Sequence, residues 1–274
     1  NFRAGVNAGN SIASGGNYNV VVGDEAGTAL TTGDGNVAIG FEALKTEDAN
    51  GESVAVGYQT LKAQNAGASG LNTAVGYLAG TAITTGVENV IIGGRAGDAL
   101  TDADHNIAIG KSALSGDTKG SKTVAIGAFA LATQNFSTST DSNNTAVGYA
   151  AGDAVQTGTN NTLIGAVAAT TLTTGIRNTI VGSFSGDSLT DADHNATLGF
   201  GALGSNTKGN KSIAIGSDAL TTQNFSTSTD AFNIAIGHEA GLSITSGINN
   251  VIIGGTAGDA LTDADSNTVV GRGA

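Results

Sequence analysis

A short string ending in glycine, N-x-(V/A)-(I/V)-G, returns along the whole chain at a nearly fixed interval, and that periodicity leaves few folds open. Its closing glycine falls at Gly5, Gly23, Gly40, Gly57, Gly76, Gly93, Gly110, Gly127, Gly148, Gly165, Gly182, Gly199, Gly216, Gly237, Gly254 and Gly271. Most intervals are 17 residues and the others are 18, 19 and 21. Self-similarity of this period points to stacked repeats that share one continuous core. Helical repeats are excluded, because the apolar runs last only three or four residues and are broken by glycine, threonine, asparagine and aspartate. The unit reads as one coil of an all-β parallel solenoid, a β-roll of about sixteen coils of 17 residues. At about 4.8 Å per coil the stack would be a rod of roughly 75 Å. One repeat domain, 1–274, is expected, with coils anchored from Gly5 to Gly271, as a segment of a longer fibre.

Within each coil the residue before the anchor glycine is aliphatic, from Val22 and Ile39 to Ile253 and Val270, and is expected to form the core stripe. The residue between it and the strand start (Ala38, Ala55, Ile91, Ala108, Leu163, Ile252) faces the other way and is also apolar. Both faces are therefore expected to be buried, as in parallel strands inside an assembly. Asparagine opens the strand in twelve of fifteen units, with Ser53, Thr123 and Ser212 as the exceptions. Stacked amides at that position can bond along the axis as a ladder. Three residues after the anchor stands a small side chain, such as Ala26, Ala43 or Ala96, where packing is tight. Coils then divide into x-x-A-G-x-x-(L/I/V) and x-x-(A/T)-L types, each supplying a second aliphatic residue. Insertions follow the coils of Gly57, Gly127 and Gly216, and segments 101–152 and 190–241 are close copies.

Composition narrows the function classes. Of 274 residues 43 are glycine, and proline, cysteine, methionine and tryptophan are absent. Without proline the chain is not collagen, and without cysteine it has neither disulfides nor thiolate metal sites. Aromatics make up 4% and charged residues 12%, so a core of alanine, valine, isoleucine and leucine in thin layers is expected. A formal charge of −12 argues against nucleic acid and anionic membranes as partners. No run of about 20 apolar residues provides a membrane span, so no membrane insertion of this segment is expected. The start, Asn1-Phe2-Arg3, shows no signal-peptide pattern.

The strings Asn106-Ile107-Ala108-Ile109-Gly110, Thr123-Val124-Ala125-Ile126-Gly127 and Ser212-Ile213-Ala214-Ile215-Gly216 resemble the head repeat of YadA-like trimeric autotransporter adhesins. They are also similar to repeats in phage tail-fibre proteins. The resemblance covers nearly the whole chain. It implies a left-handed parallel β-roll and a homotrimer, in an extracellular structural fibre of a virion tail or a bacterial surface that attaches to a host glycan or protein. The 17-residue period departs from the shorter coils of the adhesin heads.

Sites of chemistry are few. Gly199-Phe200-Gly201-Ala202-Leu203-Gly204 spells G-x-G-x-x-G, but it lies inside the repeat without the strand-to-helix context of a dinucleotide site. Gly110-Lys111-Ser112 resembles the end of a P-loop, yet His105 stands where the first glycine should be. His105, His194 and His238 have no recurring nucleophile beside them, so no enzymatic activity is expected. Three turns carry D-x-D-x-N: Asp102, Asp104 and Asn106; Asp191, Asp193 and Asn195; Asp263, Asp265 and Asn267. Alternating oxygens there suit Ca²⁺, and an Asx turn is the competing reading; no other cofactor is expected. Thr31-Thr32, Thr84-Thr85 and Thr173-Thr174 raise an ice-binding threonine array as the alternative function, with interruptions at Asp48, Asn65 and Asn135. The binding loops expected are the insertions from Asn135 to Asp141 and from Asn224 to Asp230, each with an aromatic, Phe136 or Phe225, read as exposed.

Overall fold

The structure, a computed structural model, describes residues 1–67 and 69–274. Among the described residues it is all β with no helix, a parallel β-solenoid of about sixteen coils. Contacts group the chain into two compact units, Asn1–Ser142 and Asn143–Ala274. The first unit contains β1 (Phe2–Ala4), β2 (Val20–Val22), β3 (Val37–Ile39), β4 (Val54–Val56), β5 (Thr73–Val75), β6 (Val90–Ile92), β7 (Ile107–Ile109), β8 (Gly120–Ser121), β9 (Val124–Ile126) and β10 (Thr140–Asp141). The second contains β11 (Thr145–Val147), β12 (Thr162–Ile164), β13 (Thr179–Val181), β14 (Ala196–Leu198), β15 (Gly209–Asn210), β16 (Ile213–Ile215), β17 (Thr229–Asp230), β18 (Ile234–Ile236), β19 (Val251–Ile253) and β20 (Thr268–Val270).

In each unit the three-residue strands pair in chain order, all parallel. The two-residue strands form separate pairs, β8 with β10 and β15 with β17. Register keeps equivalent residues opposite one another: Val20 faces Val37, and Ile213 faces Ile234 across a 21-residue coil. Insertions are therefore absorbed in the turns and leave the ladder in step.

The strand face that lines the coil is the reverse of the one expected. Between the terminal strands β1 and β20, the middle residue of the three-residue strands points inward: Val21, Ala38, Ala55, Ala74, Ile91, Ala108, Leu163 and Ile180 are fully buried. The residue before the anchor glycine, expected as the core stripe, points outward, with Ile39 36%, Ile92 37%, Ile164 38% and Ile253 39% exposed. A coil of 17 residues encloses a narrow interior, and the middle strand position is alanine on some levels (Ala38, Ala108) and valine, leucine or isoleucine on others (Val21, Leu163, Ile91).

The two coil types are alternative ways to fill one space. Where the fourth residue after the anchor is glycine, the aliphatic side chain three residues further on folds back over it. A Cβ on Gly27 would lie 2.7 Å from Leu30 Cδ1, and one on Gly186 would lie 2.8 Å from Leu189 Cδ1. Where that fourth residue is leucine (Leu44, Leu61, Leu114, Leu131, Leu203, Leu220), it occupies the space itself from a left-handed backbone. Its partner position is then freed for a polar residue: Glu47, Gln64, Asp117, Gln134, Asn206 and Gln223, all fully buried.

Candidate functional site

Buried asparagines tie each coil to the next. Asn19 Oδ1 accepts the N–H of Asn36 at 2.8 Å and its Nδ2 donates to Gly33 O at 2.7 Å. Asn161 repeats the arrangement with Asn178 N–H at 2.9 Å and Gly175 O at 2.8 Å. The expected ladder is present, running mainly from amide to backbone, with weaker amide-to-amide contacts such as Asn161 Nδ2 to Asn144 Oδ1 at 3.3 Å.

Where serine or threonine replaces the asparagine, a buried glutamine supplies the missing amide. Gln64 Nε2 donates to Ser53 Oγ at 2.9 Å, and its Oε1 accepts from Asn72 Nδ2 at 2.9 Å. Gln223 does the same for Ser212 and Asn233, at 3.0 and 2.8 Å. Gln134 Nε2 reaches Thr123 Oγ1 at 3.1 Å. These glutamines were missed as interior residues. The available signal was their fixed distance from the anchor on the coils that lack asparagine.

The D-x-D-x-N turns divide their side chains among separate tasks. Asn106, Asn195 and Asn267 belong to the asparagine ladder, with their backbone N–H groups held by Asn89, Asn178 and Asn250. Asp104, Asp193 and Asp265 each accept a backbone N–H of the preceding coil, from Val87, Ile176 and Ile248, at 2.9, 2.8 and 2.8 Å. Asp102, Asp191 and Asp263 accept from the adjacent threonine hydroxyl at 3.2 Å. Asp102 also stands 3.9 Å from Lys119 Nζ. This is Asx bonding between coils. Among the described residues no three acidic, histidine or cysteine side chains gather in one place.

Both insertion loops are stapled to the coil before them, and their phenylalanines, read as exposed from the sequence, are buried. Phe136 is 6% and Phe225 8% exposed. The rings lie over glycines whose added Cβ would meet Phe136 Cδ2 at 2.9 Å and Phe225 Cδ2 at 2.7 Å, namely Gly120 and Gly209. A thin coil offers apolar cover here because the β8 and β15 backbones carry no side chain at those points. Asn135 accepts from Thr118 Oγ1 at 2.9 Å and Asn224 from Thr207 Oγ1 at 2.7 Å. Asp141 pairs with Lys122 and Asp230 with Lys211, both at 2.5 Å. The Lys211 ammonium holds the Asp230 carboxyl below its ordinary range. Each loop exposes a hydroxyl tip, Ser137-Thr138-Ser139 or Ser226-Thr227-Ser228, together with the flanking Asn135 and Asp141 or Asn224 and Asp230.

The threonine rows also bond from coil to coil. Thr84 and Thr101 donate from Oγ1 to the carbonyls of Thr101 and Thr118 at 3.2 and 3.0 Å, and Thr173 donates to Thr190 O at 3.0 Å. The histidines occupy exposed surface positions. His105 Nε2 lies 3.0 Å from Glu88 Oε2, His194 Nε2 lies 3.5 Å from Arg177 Nη1, and His238 Nδ1 lies 3.7 Å from Glu239 Oε2.

The strand face itself is an apolar feature of the outside. In the first unit Val22, Ile39, Val56, Val75, Ile92 and Ile109 form one outward row, and Val20, Val37, Val54, Val90 and Ile107 form a second beside it. Ile213, Ile215, Ile234, Ile236, Val251 and Ile253 continue the same pattern in the second unit. These features define a β-solenoid repeat protein with an aliphatic exterior strip. Compared with protein-family models, curated proteins and solved structures, the chain gives no match.

Proposed function

We propose that the chain is a non-enzymatic structural module of an extracellular attachment fibre, assembled as a homotrimer through its outward aliphatic rows. The observation that carries this reading is the exposure of valine and isoleucine on successive coils, with Ile92 37% and Ile253 39% exposed. Soluble proteins cover apolar surface repeated over this many levels. The rows repeat at the coil spacing, so a covering partner needs apolar ridges of the same period, and a second copy of the chain carries them. The number three, and the placement on a virion tail fibre or bacterial surface, rest on the resemblance of the N-x-(V/A)-(I/V)-G strings. In this reading the stacked coils give stiffness, and the hydroxyl-tipped loops face outward for host glycan or protein.

Light scattering tests the assembly: the expected mass is three times the 26.6 kDa of one chain. Ile92→Lys and Ile253→Lys charge the exterior without entering the coil, and should give a folded species of lower mass. A wild-type monomer sinks the reading.

A further inference from the structure

The position just after each anchor glycine projects from the coil. In the first unit it is filled on five successive coils by Phe41, Tyr58, Tyr77, Gly94 and Lys111. Ladder bonds keep these levels in step: Leu78 N–H donates to Tyr58 O at 3.0 Å, Arg95 N–H to Tyr77 O at 2.8 Å, and Ser112 N–H to Gly94 O at 3.0 Å. The three rings stack with centroids 5.3 Å apart and interplanar angles of 19° and 15°. They are 41%, 43% and 52% exposed. The stack then stops at Gly94, which carries no side chain, and a Cβ added there would meet nothing within 4 Å. One face of the Tyr77 ring is thereby left without a neighbouring ring. Lys111, exposed on the far side of the gap, leans toward Phe129, its Nζ 5.4 Å from that centroid. Arg95 is exposed on the same coil as Gly94.

The Gly94 level is flanked by Tyr77 and Lys111 as the Tyr58 level is flanked by Phe41 and Tyr77. Two coil spacings span about 10 Å, which admits one ring in contact on both sides. The occupant that fits such a gap is ring-shaped and anionic: its ring stacks on Tyr77, and the exposed cations for its charge are Arg95 on the same coil and Lys111 on the next, which would have to swing back from Phe129. We propose that the gap at Gly94 binds an acidic sugar residue, whose C–H face lies on the Tyr77 ring and whose carboxylate meets the two cations. The polarised C–H bonds of a pyranose suit the negative face of an aromatic ring. Two exposed cations stand out on a chain of net charge −12 and would select the carboxylate. The order of ring, glycine and cation recurs in the second unit at His238, Gly255 and Arg272. There Glu239 places a carboxylate 3.7 Å from the histidine, which disfavours an anion and makes that copy an internal comparison. The inference rests on the reading of the chain as an attachment module and adds a ligand class to it.

The test titrates the intact chain with sialyllactose, with a galacturonate trisaccharide and with lactose, followed by saturation-transfer NMR and by tyrosine emission, which no tryptophan obscures. Expected is binding of at least one acidic probe, with saturation strongest on the acidic residue and lactose about tenfold or more weaker. Gly94→Tyr should fold as the wild type does, since three neighbouring coils already carry a ring at that position, and should abolish binding by filling the gap. Lys111→Gln should weaken binding and flatten its salt dependence. The proposal is overturned if neither acidic probe binds at millimolar concentration, if lactose binds equally, or if Gly94→Tyr binds as the wild type does. A monomer that still binds through this gap removes the trimer and leaves the site. A trimer that binds neither probe removes the site alone.

Discussion

Asn89 Oδ1 accepts the backbone N–H of Asn106 at 2.9 Å while Asn89 Nδ2 donates to Ala103 O at 2.9 Å, so one buried side chain ties two points of the next coil. Asn106 passes the same pair of bonds on to Thr123 N–H and Gly120 O, both at 2.9 Å. Replacing Asn106 with alanine leaves two buried backbone groups unpaired and should cost about 2–5 kcal/mol. Asn267→Ala, at a part-buried level, should cost less than about 1 kcal/mol. Urea denaturation of both variants checks the contrast, and equal losses would contradict the bonding scheme.

Asp117 and Asn206 occupy equivalent buried positions and both accept a glycine N–H, but their remaining bonds differ in direction. Asp117 accepts from Lys119, Gly120 and Phe136 N–H and from Gln134 Nε2, the last at 2.6 Å. Asn206 accepts from Gly209 N–H at 2.9 Å and donates to Gly209 O at 2.8 Å. Asp117→Asn turns an amide N–H toward donors, and Asn206→Asp sets a carboxylate against a carbonyl. Each exchange should destabilise its unit by about 1–3 kcal/mol in thermal melts, although each residue is native to the other copy.

At Gly110 the backbone has φ of +132°, and an added Cβ would lie 2.6 Å from the carbonyl carbon of Gly127. Gly110→Ala should therefore cost more than about 3 kcal/mol or prevent folding, whereas Gly94→Ala should change stability by less than about 0.5 kcal/mol. Circular dichroism melts of the two variants separate the cases.

Phe136→Ala removes a buried ring over Gly120 and should cost about 3–5 kcal/mol. Hydrogen exchange should quicken first across residues 134–142. A loss below about 1 kcal/mol would place the ring outside the packed structure.

Glu42 is bound by Lys45 Nζ at 2.6 Å, Lys62 Nζ at 2.6 Å and Gln59 Nε2 at 2.7 Å, and the Lys45 bond foremost holds its carboxyl down at about 2. A carboxyl whose folded value lies below its unfolded one stabilises the fold above the unfolded value of about 4.3. That stabilisation is lost as pH falls from about 5 toward 2. The difference in unfolding free energy between wild type and Glu42→Gln should shrink over that window. A pH-independent difference would refute the assignment.

The polar interior was only half legible in the chain. Asparagine at the strand start marked the ladder, because twelve of fifteen units share it. The coils of Ser53, Thr123 and Ser212 carry Gln64, Gln134 and Gln223 at one fixed distance past the anchor, but spacing alone does not show that those glutamines turn inward to complete the network from a different side of the coil. Phe136 and Phe225 read as surface aromatics because they sit in polar insertions. The bare backbone of Gly120 and Gly209, 16 residues before each, leaves room for the rings to lie against the coil.

The sequence by itself determined the period, the parallel stacking, the glycine at every strand end and the two coil types, because each is a spacing that covalent order fixes. Only the tertiary structure decided which strand face is interior. Ala108 and Ile109 are adjacent and both apolar, so periodicity cannot rank them. Alternate side chains of a strand point to opposite faces, and closing the coil around the middle position places Ala108 inside and Ile109 out, just as it places Ile91 inside and Ile92 out whatever their size.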